Sequence, residues 1–268
     1  MSHLRRDLAP IFPSAWEEIQ AEANDSLANY LAGRRLVEFD GPKGWTAACV
    51  STGRIGRINP PAEGVEAAVR NVRPMVELRA AFALDRSEID AIDRGATDPD
   101  LDPLVQAARQ IAVAEDKLIF EGSDAWNITG LAAGSEHEPV VLGGDDYSEF
   151  PTSVARAVGT LRQAGVDGPY GLALGPRCYT GVVETTEKGG LPVIEHLKLI
   201  TGGPVVWAPG MDGSLVLSLR GGDFRLTVGQ DFSIGYRSHN ADTVDLYLEE
   251  SLTFSNDSPE AAIALRYT

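Results

Sequence analysis

One segment of this 268-residue chain lacks the side chains needed to build a compact core. Between residues 46 and 73 the apolar residues alternate only weakly, and glycines and prolines interrupt them at Gly53, Gly56, Pro60, Pro61 and Gly64. A stretch of this length without core-forming residues is unusual inside a compact domain. The pattern predicts an extended arm or a long hairpin that stands apart from the core.

The regions on either side of this arm indicate a mixed α+β fold. Amphipathic spacing predicts a first helix that begins at a capping box of Ser14 and Glu17 and ends at Gly33, followed by a short strand over residues 36–39. Further helices are predicted over residues 101–122, 148–164, 176–184 and 193–200, and strands over residues 75–84, 172–174, 205–207 and 261–267. From Ser214 onward the pattern is mostly β. The order predicts a central helix–strand block inserted between two parts of a second domain.

The charge balance is acidic, and its basic side chains are almost all arginines. The chain has 39 acidic and 23 basic residues, a formal charge of −16, and only four of the basic residues are lysines. The rigid fork of arginine suits paired and partly buried contacts. We therefore expect many arginines in structural ion pairs and a strongly acidic exposed surface, which argues against a nucleic-acid partner.

Composition also bears on the compartment. Hydrophobic residues make up 43% of the chain, but no run approaches the roughly 18 uncharged apolar residues of a membrane span. The first ten residues have no apolar core that a secretory signal would need. Two cysteines, Cys49 and Cys178, cannot build a disulfide framework and are expected to be unlinked thiols. We expect a soluble, cytoplasmic protein without a membrane partner.

No arrangement of residues predicts catalysis or metal binding. The four histidines are isolated in the sequence, and His196 is expected to be a lone surface or core residue. No Walker loop, dinucleotide-binding glycine motif or nucleophile elbow is present. Residues 85–102 are rich in aspartate but lack a calcium-loop pattern, so a solvated acidic face is expected there. These features favour a structural or assembly protein over an enzyme.

Short runs spread in order over essentially the whole chain carry a family pattern. They are Trp16-Glu17-Glu18-Ile19, Ala32-Gly33-Arg34-Arg35, Glu77-Leu78-Arg79, Ile119-Phe120-Glu121-Gly122, Arg220-Gly221-Gly222-Asp223-Phe224, Gly229-Gln230-Asp231, Ser233-Ile234-Gly235-Tyr236 and Glu250-Ser251-Leu252-Thr253-Phe254. In these runs the chain resembles the encapsulins, bacterial and archaeal shell proteins that are related to linocin-type bacteriocins. The resemblance implies the Hong Kong 97-type fold of tailed-phage capsid proteins.

The same resemblance implies a division of the chain. Residues 1–45 would hold the N-terminal helix and the start of a peripheral domain, and residues 46–73 the extended loop that pairs with neighbouring subunits. Residues 74–129 would continue the peripheral domain, residues 130–220 would form the axial domain, and residues 221–268 would add the C-terminal strands of the peripheral domain.

The family assembles into icosahedral shells of sixty copies or a multiple, which enclose cargo enzymes such as ferritin-like iron-storage proteins or dye-decolourising peroxidases. Cargo docks through a terminal targeting peptide. The resemblance places that dock at Leu27, Tyr30, Leu31, Arg34, Glu38, Ile234 and Tyr247.

A second implied feature is a five-fold pore, formed by Thr186, Glu187, Lys188, Gly189, Gly190 and Leu191. Some members also bind a flavin through a tryptophan and a tyrosine, but this chain has Ser87 and Leu191 at those positions, so no cofactor is expected. The alternative function is a phage or prophage major capsid protein, which the same fold permits. A secreted bacteriocin or protease would need a signal or a nucleophile that the sequence does not offer.

Overall fold

The computed structural model describes residues 3–144, 146–187 and 189–267. The α-helices in these ranges are α1 (Pro13–Tyr30), α2 (Arg86–Asp93), α3 (Asp102–Phe120), α4 (Phe150–Gln163), α5 (Pro176–Glu184) and α6 (Val193–Thr201). The strands are β1 (Glu38–Asp40), β2 (Cys49–Ile58), β3 (Ala67–Pro74), β4 (Val76–Asp85), β5 (Gly122–Ser123), β6 (Ile128–Thr129), β7 (Val140–Leu142), β8 (Tyr170–Leu174), β9 (Val205–Trp207), β10 (Ser214–Ser218), β11 (Phe224–Val228), β12 (Ser233–His239), β13 (Thr243–Asn256) and β14 (Ala262–Tyr267).

The first helix is present, but the prediction of its ends was wrong. Helix α1 begins at Pro13, whose fixed φ suits the first helical position and which has no N–H to leave unpaired. Ser14 therefore lies inside the helix, and its hydroxyl donates to Asp93 Oδ1 at 2.8 Å instead of forming a capping box. The helix ends at Tyr30, before Gly33, which opens a short 3₁₀ turn.

A long strand organises the first sheet. Strand β13 pairs antiparallel with β4 along one side, and β11 and β12 pair with its two halves, while β1 joins β11 in parallel. Alternate side chains of β13 such as Leu246 and Leu248 are buried in a hydrophobic cluster with α1 and α3. Helix α3 presents a stripe to this cluster that includes Leu104, Ala108 and Ile111.

The second sheet has the strand order β7-β14-β10-β8-β9 and is covered by α4, α5 and α6. The last strand, β14, pairs with β7 and β10, so part of residues 221–268 lies in the same sheet as strands from residues 130–220. The physical reason is burial: four consecutive residues, from Ala262 to Leu265, are fully enclosed, and only an interior position in a covered sheet buries both faces of a strand. The domain boundaries stay a prediction.

Strands β2 and β3 form a two-stranded sheet separate from both main sheets, which confirms the predicted hairpin. We call residues 46–73 the arm. Several large apolar side chains of the arm are exposed: Ile55 by 69%, Ile58 by 53%, Val69 by 52%, Val72 by 45% and Val65 by 48%. A group of exposed apolar side chains on one hairpin is the kind of surface that contacts with another protein would bury.

Two expectations from composition, the arginine ion pairs and the unlinked thiols, are met. Arginines that pair with carboxylates include Arg34, Arg73, Arg79, Arg220 and Arg225. The thiols of Cys49 and Cys178 are unlinked. In the described residues, the helices are too short or too polar to cross a lipid bilayer.

Candidate functional site

Arg34 lies where α1, α3 and β13 meet, and it binds three carboxylates. Its Nε donates to both oxygens of Glu115 at 2.9 and 3.0 Å, and its Nη2 donates to Glu115 Oε2 at 2.7 Å and to Glu250 Oε2 at 3.1 Å. Its Nη1 donates to Asp231 Oδ1 at 2.9 Å. Burial would lower the pKa of the guanidinium, but the hydrogen bond with Glu115 and the surrounding negative charges hold that pKa above its ordinary value.

A second buried carboxylate fixes the chain just before Arg34. Asp116 accepts the backbone N–H of Gly33 at 2.8 Å and that of Ala32 at 3.1 Å. A Cβ at Gly33 would lie 2.4 Å from Ile119 Cδ1, so the fully buried Ile119 would have to move to admit a side chain there. Burial raises the pKa of Asp116 to about 7, although the two backbone N–H groups oppose that shift.

Glu250 completes the group, which we call the carboxyl cluster (Glu115, Asp116 and Glu250). All three side chains are fully buried. Burial first, and then the negative charge of Glu115, raise the pKa of Glu250 well above its usual range. Glu250 accepts from Arg34 through Oε2, whereas its Oε1 is buried without a hydrogen-bond partner among the described residues. The cluster therefore holds α3, β13 and the segment after α1 together around one cation.

The outer side of Arg34 is aromatic and open to solvent. Its guanidinium carbon lies 4.6 Å from the ring centre of Phe232 and 5.1 Å from that of Phe39, which is 41% exposed. We call Arg34, Phe39, Asp231 and Phe232 the Arg34 patch. Sequence reasoning singled out only Arg34 among these four as a site residue. The family-like run Gly229-Gln230-Asp231 was a signal for Asp231, whereas nothing in the local pattern pointed to the two phenylalanines.

Five of the seven predicted docking residues lie on the helical side of the first sheet, near this patch. Leu27 and Ile234 are buried in the cluster between α1, α3 and the sheet, and Tyr30 and Leu31 pack at its margin together with Phe232. Tyr30 also stacks at an angle against Trp207 of the second sheet, with ring centres 5.8 Å apart. Of these five residues, Tyr30, Leu31 and Arg34 are partly exposed, and the role of all seven in docking stays a prediction.

The other two predicted docking residues lie elsewhere. Glu38 is exposed, but its carboxylate accepts the N–H of Gly222 at 2.7 Å and pairs with Arg225 at 3.4 Å. Tyr247 is on the opposite face of the first sheet, because side chains alternate along β13 and Leu246 and Leu248 face the helices. There the guanidinium of Arg79 covers its ring at 4.8 Å from the centre.

The predicted pore residues form a compact turn between α5 and α6. Lys188 lies outside the described residues. Thr186 bridges to Pro192, the N–H of Glu187 donates to the carbonyl of Leu191, and Gly190 has a positive φ of 80°. Leu191 is 39% exposed. Among the described residues, nothing lies within 4 Å of a Cβ built on Gly189 or Gly190, so this side of the turn is open.

His196 is not the lone residue that the sequence predicted. Its Nδ1 contacts Glu187 Oε1 in the turn, so α6 and the predicted pore residues are joined by an ion pair when the imidazole is charged. No group of three or more potential metal-ligating side chains occurs in residues 3–144, 146–187 and 189–267. The absence of a flavin, expected from Ser87 and Leu191, stays a prediction.

Comparison with known proteins assigns the family. The family described as "encapsulating protein for peroxidase" matches residues 1–253. The chain belongs to this family of encapsulins. A type 1 encapsulin shell protein of Rhodospirillum rubrum is 49% identical, with 99% of this chain and 97% of that protein covered. One of Mycolicibacterium paratuberculosis is 48% identical, with 99% of each chain covered.

Solved structures confirm the predicted fold of this encapsulin. A virus-like particle from Pyrococcus furiosus matches with a TM-score of 0.67 at 18% identity, covering 94% of this chain and 99% of that one. The capsid of a Myoviridae phage, XM1, matches with a TM-score of 0.52 at 11% identity, covering 88% and 90%. The chain has the Hong Kong 97-type capsid fold, and its relatives are named as shell proteins rather than enzymes.

Proposed function

We propose that this encapsulin assembles into a closed icosahedral shell in the cytoplasm, built from sixty copies or a multiple, that encloses a cargo enzyme. The observation that carries the proposal is the arm, a hairpin whose two strands pair with each other and with no other strand of the described residues. Ile55 and Val69 are exposed on its surface. Such a hairpin is only marginally stable by itself. Contacts with neighbouring copies would bury its apolar residues and remove its free edges.

The cargo we propose is a peroxidase, with a ferritin-like iron-storage protein as the second candidate. The description of the family names a peroxidase as the enclosed protein, which supports this choice. The cargo would dock by a terminal targeting peptide at the Arg34 patch, where Phe39 and Phe232 offer apolar surface beside Asp231 and Arg34. Many identical docks on one inner wall would capture cargo through multivalency even when each contact is weak.

Assembly is tested by expressing the chain alone and measuring its size. Size-exclusion chromatography, analytical ultracentrifugation and electron microscopy should show uniform closed particles with icosahedral symmetry. A stable monomer or dimer at micromolar concentration would overturn the proposal.

Cargo is tested on particles purified from the native cells. Mass spectrometry should identify one main co-purifying protein, and haem absorbance or bound iron distinguishes a peroxidase from an iron-storage protein. Deleting the terminal peptide of that protein should abolish its co-purification while leaving the shells intact. Empty native shells, or a cargo retained without its terminal peptide, would contradict docking by a peptide.

A further inference from the structure

The arm is a basic segment of an acidic protein. Residues 46–73 contain four arginines and two glutamates, while the whole chain has a formal charge of −16. Arg73 at the base of the arm is anchored to Asp257 at 3.2 Å and to Ser255 at 2.7 Å. Within the described part of the chain, Arg54, Arg57 and Arg70 are exposed and have no carboxylate at ion-pair distance.

The pairing of the strands gives the arm two different faces. Ile55 lies opposite Arg70, and Arg57 lies opposite Ala68, so both arginines project from one face. Ile58 and Val69 project from the other face. Arginine is enriched at protein interfaces, where its fork binds carboxylates. The basic face is therefore suited to an acidic surface, and no carboxylate of the described residues pairs with Arg57 or Arg70.

An acidic surface lies at the other end of β4. Residues 85–102, which include α2 and the turn before α3, contain seven carboxylates and two arginines; we call them the acidic segment. Asp90 and Asp98 are exposed. Among the described residues, no lysine or arginine pairs with any of the seven carboxylates. Repulsion within such a segment costs free energy unless a cation neutralises it.

The two charged surfaces are kept apart within one copy. The arm ends at the start of β4 and the acidic segment begins at its end, and ten residues of strand span about 33 Å. A head-to-tail contact joins two different surfaces of neighbouring copies, and repetition of such a contact closes a ring or a shell.

We propose that the basic face of the arm in one copy binds the acidic segment of a neighbouring copy, with Arg57 and Arg70 opposite Asp90 and Asp98. This inference rests on the proposed assembly and names the surface that the arm meets. It also assigns a role to the acidic residues, for which the sequence predicts only a solvated face. The contact would orient the approaching copies, because complementary charges steer association and reject like-charged surfaces.

Charge reversal and its compensation test this pairing. The variant R57E/R70E should form particles at a yield lower by about tenfold or more at physiological ionic strength, since two attractions become repulsions. The variant D90R/D98R should lose assembly in the same way. Combining all four substitutions restores complementarity and should recover most of the wild-type yield. Circular dichroism should show unchanged secondary structure throughout, because all four side chains are exposed.

A second acidic surface provides the control. Helix α1 contains Glu17, Glu18, Glu22 and Asp25 but no basic residue. Adding E17R/E18R to R57E/R70E should not restore assembly. Three results would overturn the pairing. They are a particle yield restored by E17R/E18R, a particle yield not restored in the fourfold variant, and a normal particle yield of R57E/R70E. In each of these cases the wild-type chain still forms particles, so only the pairing is refuted. If the proposed function itself is wrong, the wild-type chain forms no particles either.

Discussion

The guanidinium Nη2 of Arg34 lies 2.7 Å from Oε2 of Glu115, a carboxylate with no exposed surface. Moving a cation and an anion out of water costs free energy. The ion pair offsets that cost only when its geometry is good and the remaining carboxylate oxygens accept hydrogen bonds. Here both oxygens of Glu115 receive N–H groups from the same arginine. The pair therefore fixes how the segment after α1 sits on α3, and the Arg34 patch depends on that position.

Removing this cation should be strongly destabilising. In Arg34→Met the carboxyl cluster loses its only paired cation among the described residues, and we expect a loss of about 3–5 kcal/mol in the free energy of unfolding. Urea unfolding followed by circular dichroism, at one protein concentration, measures it. The matched control is Arg225→Met, whose exposed pair with Glu38 should contribute about 0–1 kcal/mol. Equal losses in the two variants would contradict the assigned role.

Asp116 should make stability depend on pH in an unusual direction. The pKa of this carboxyl is about 7 in the folded chain against an ordinary value of 3.8, so the folded state holds the proton more tightly than the unfolded state. Asp116 therefore contributes stability below pH 3.8 that is lost as the pH rises to about 7, at up to about 1.4 kcal/mol per unit.

The comparison that isolates this effect is between the wild type and Asp116→Asn. The difference in unfolding free energy, wild type minus variant, should fall from pH 4 to pH 7 and then stay constant. A difference independent of pH would show that Asp116 titrates near its ordinary pKa. Glu250 also has a raised pKa, but it is present in both proteins and drops out of the difference to first order.

Two glycine substitutions should have opposite signs. Gly33→Ala places a Cβ 2.4 Å from Ile119 Cδ1, and the overpacking should lower the free energy of unfolding by about 1–3 kcal/mol. Gly159 lies in the middle of α4, and no atom approaches a Cβ built there. Gly159→Ala should raise the free energy of unfolding by about 0.5–1 kcal/mol through helix propensity. Thermal unfolding of both variants checks the contrast, and a stable Gly33→Ala protein would refute the close approach.

Cargo capture should depend on Phe39 and not on exposed apolar residues in general. Phe39→Ala removes apolar surface beside Arg34 and should lower the amount of co-purified cargo several-fold, since truncating an interface aromatic often costs more than 1 kcal/mol. Val141→Ala alters a side chain that is 58% exposed on the second sheet and should leave loading unchanged. Quantitative mass spectrometry measures the amount of cargo per shell in both variants. Equal cargo loading in the two variants would show that the cargo does not dock at the Arg34 patch.

Regular elements were largely predictable because their signals are local. The predicted bounds of α5 and β9 agree with the structure, and those of α3 differ by one or two residues at each end. The capping box failed because Pro13 competes with Ser14 for the start of the same helix. The carboxyl cluster was not predictable, since its members lie on elements far apart in sequence. Periodicity cannot show which buried acid meets which arginine, and the resemblance alone pointed to Arg34.

Strand β14 has a consequence for synthesis. It follows every other strand of the second sheet along the chain, yet it lies in the interior of that sheet, between β7 and β10. While the ribosome is still adding residues 219–261, β7 and β10 lack the strand that lies between them in the finished sheet. The second sheet therefore closes only after β14 has left the exit tunnel. Until then β7 and β10 lack the strand that joins them, and the apolar faces of residues 262–265 have no sheet to enter.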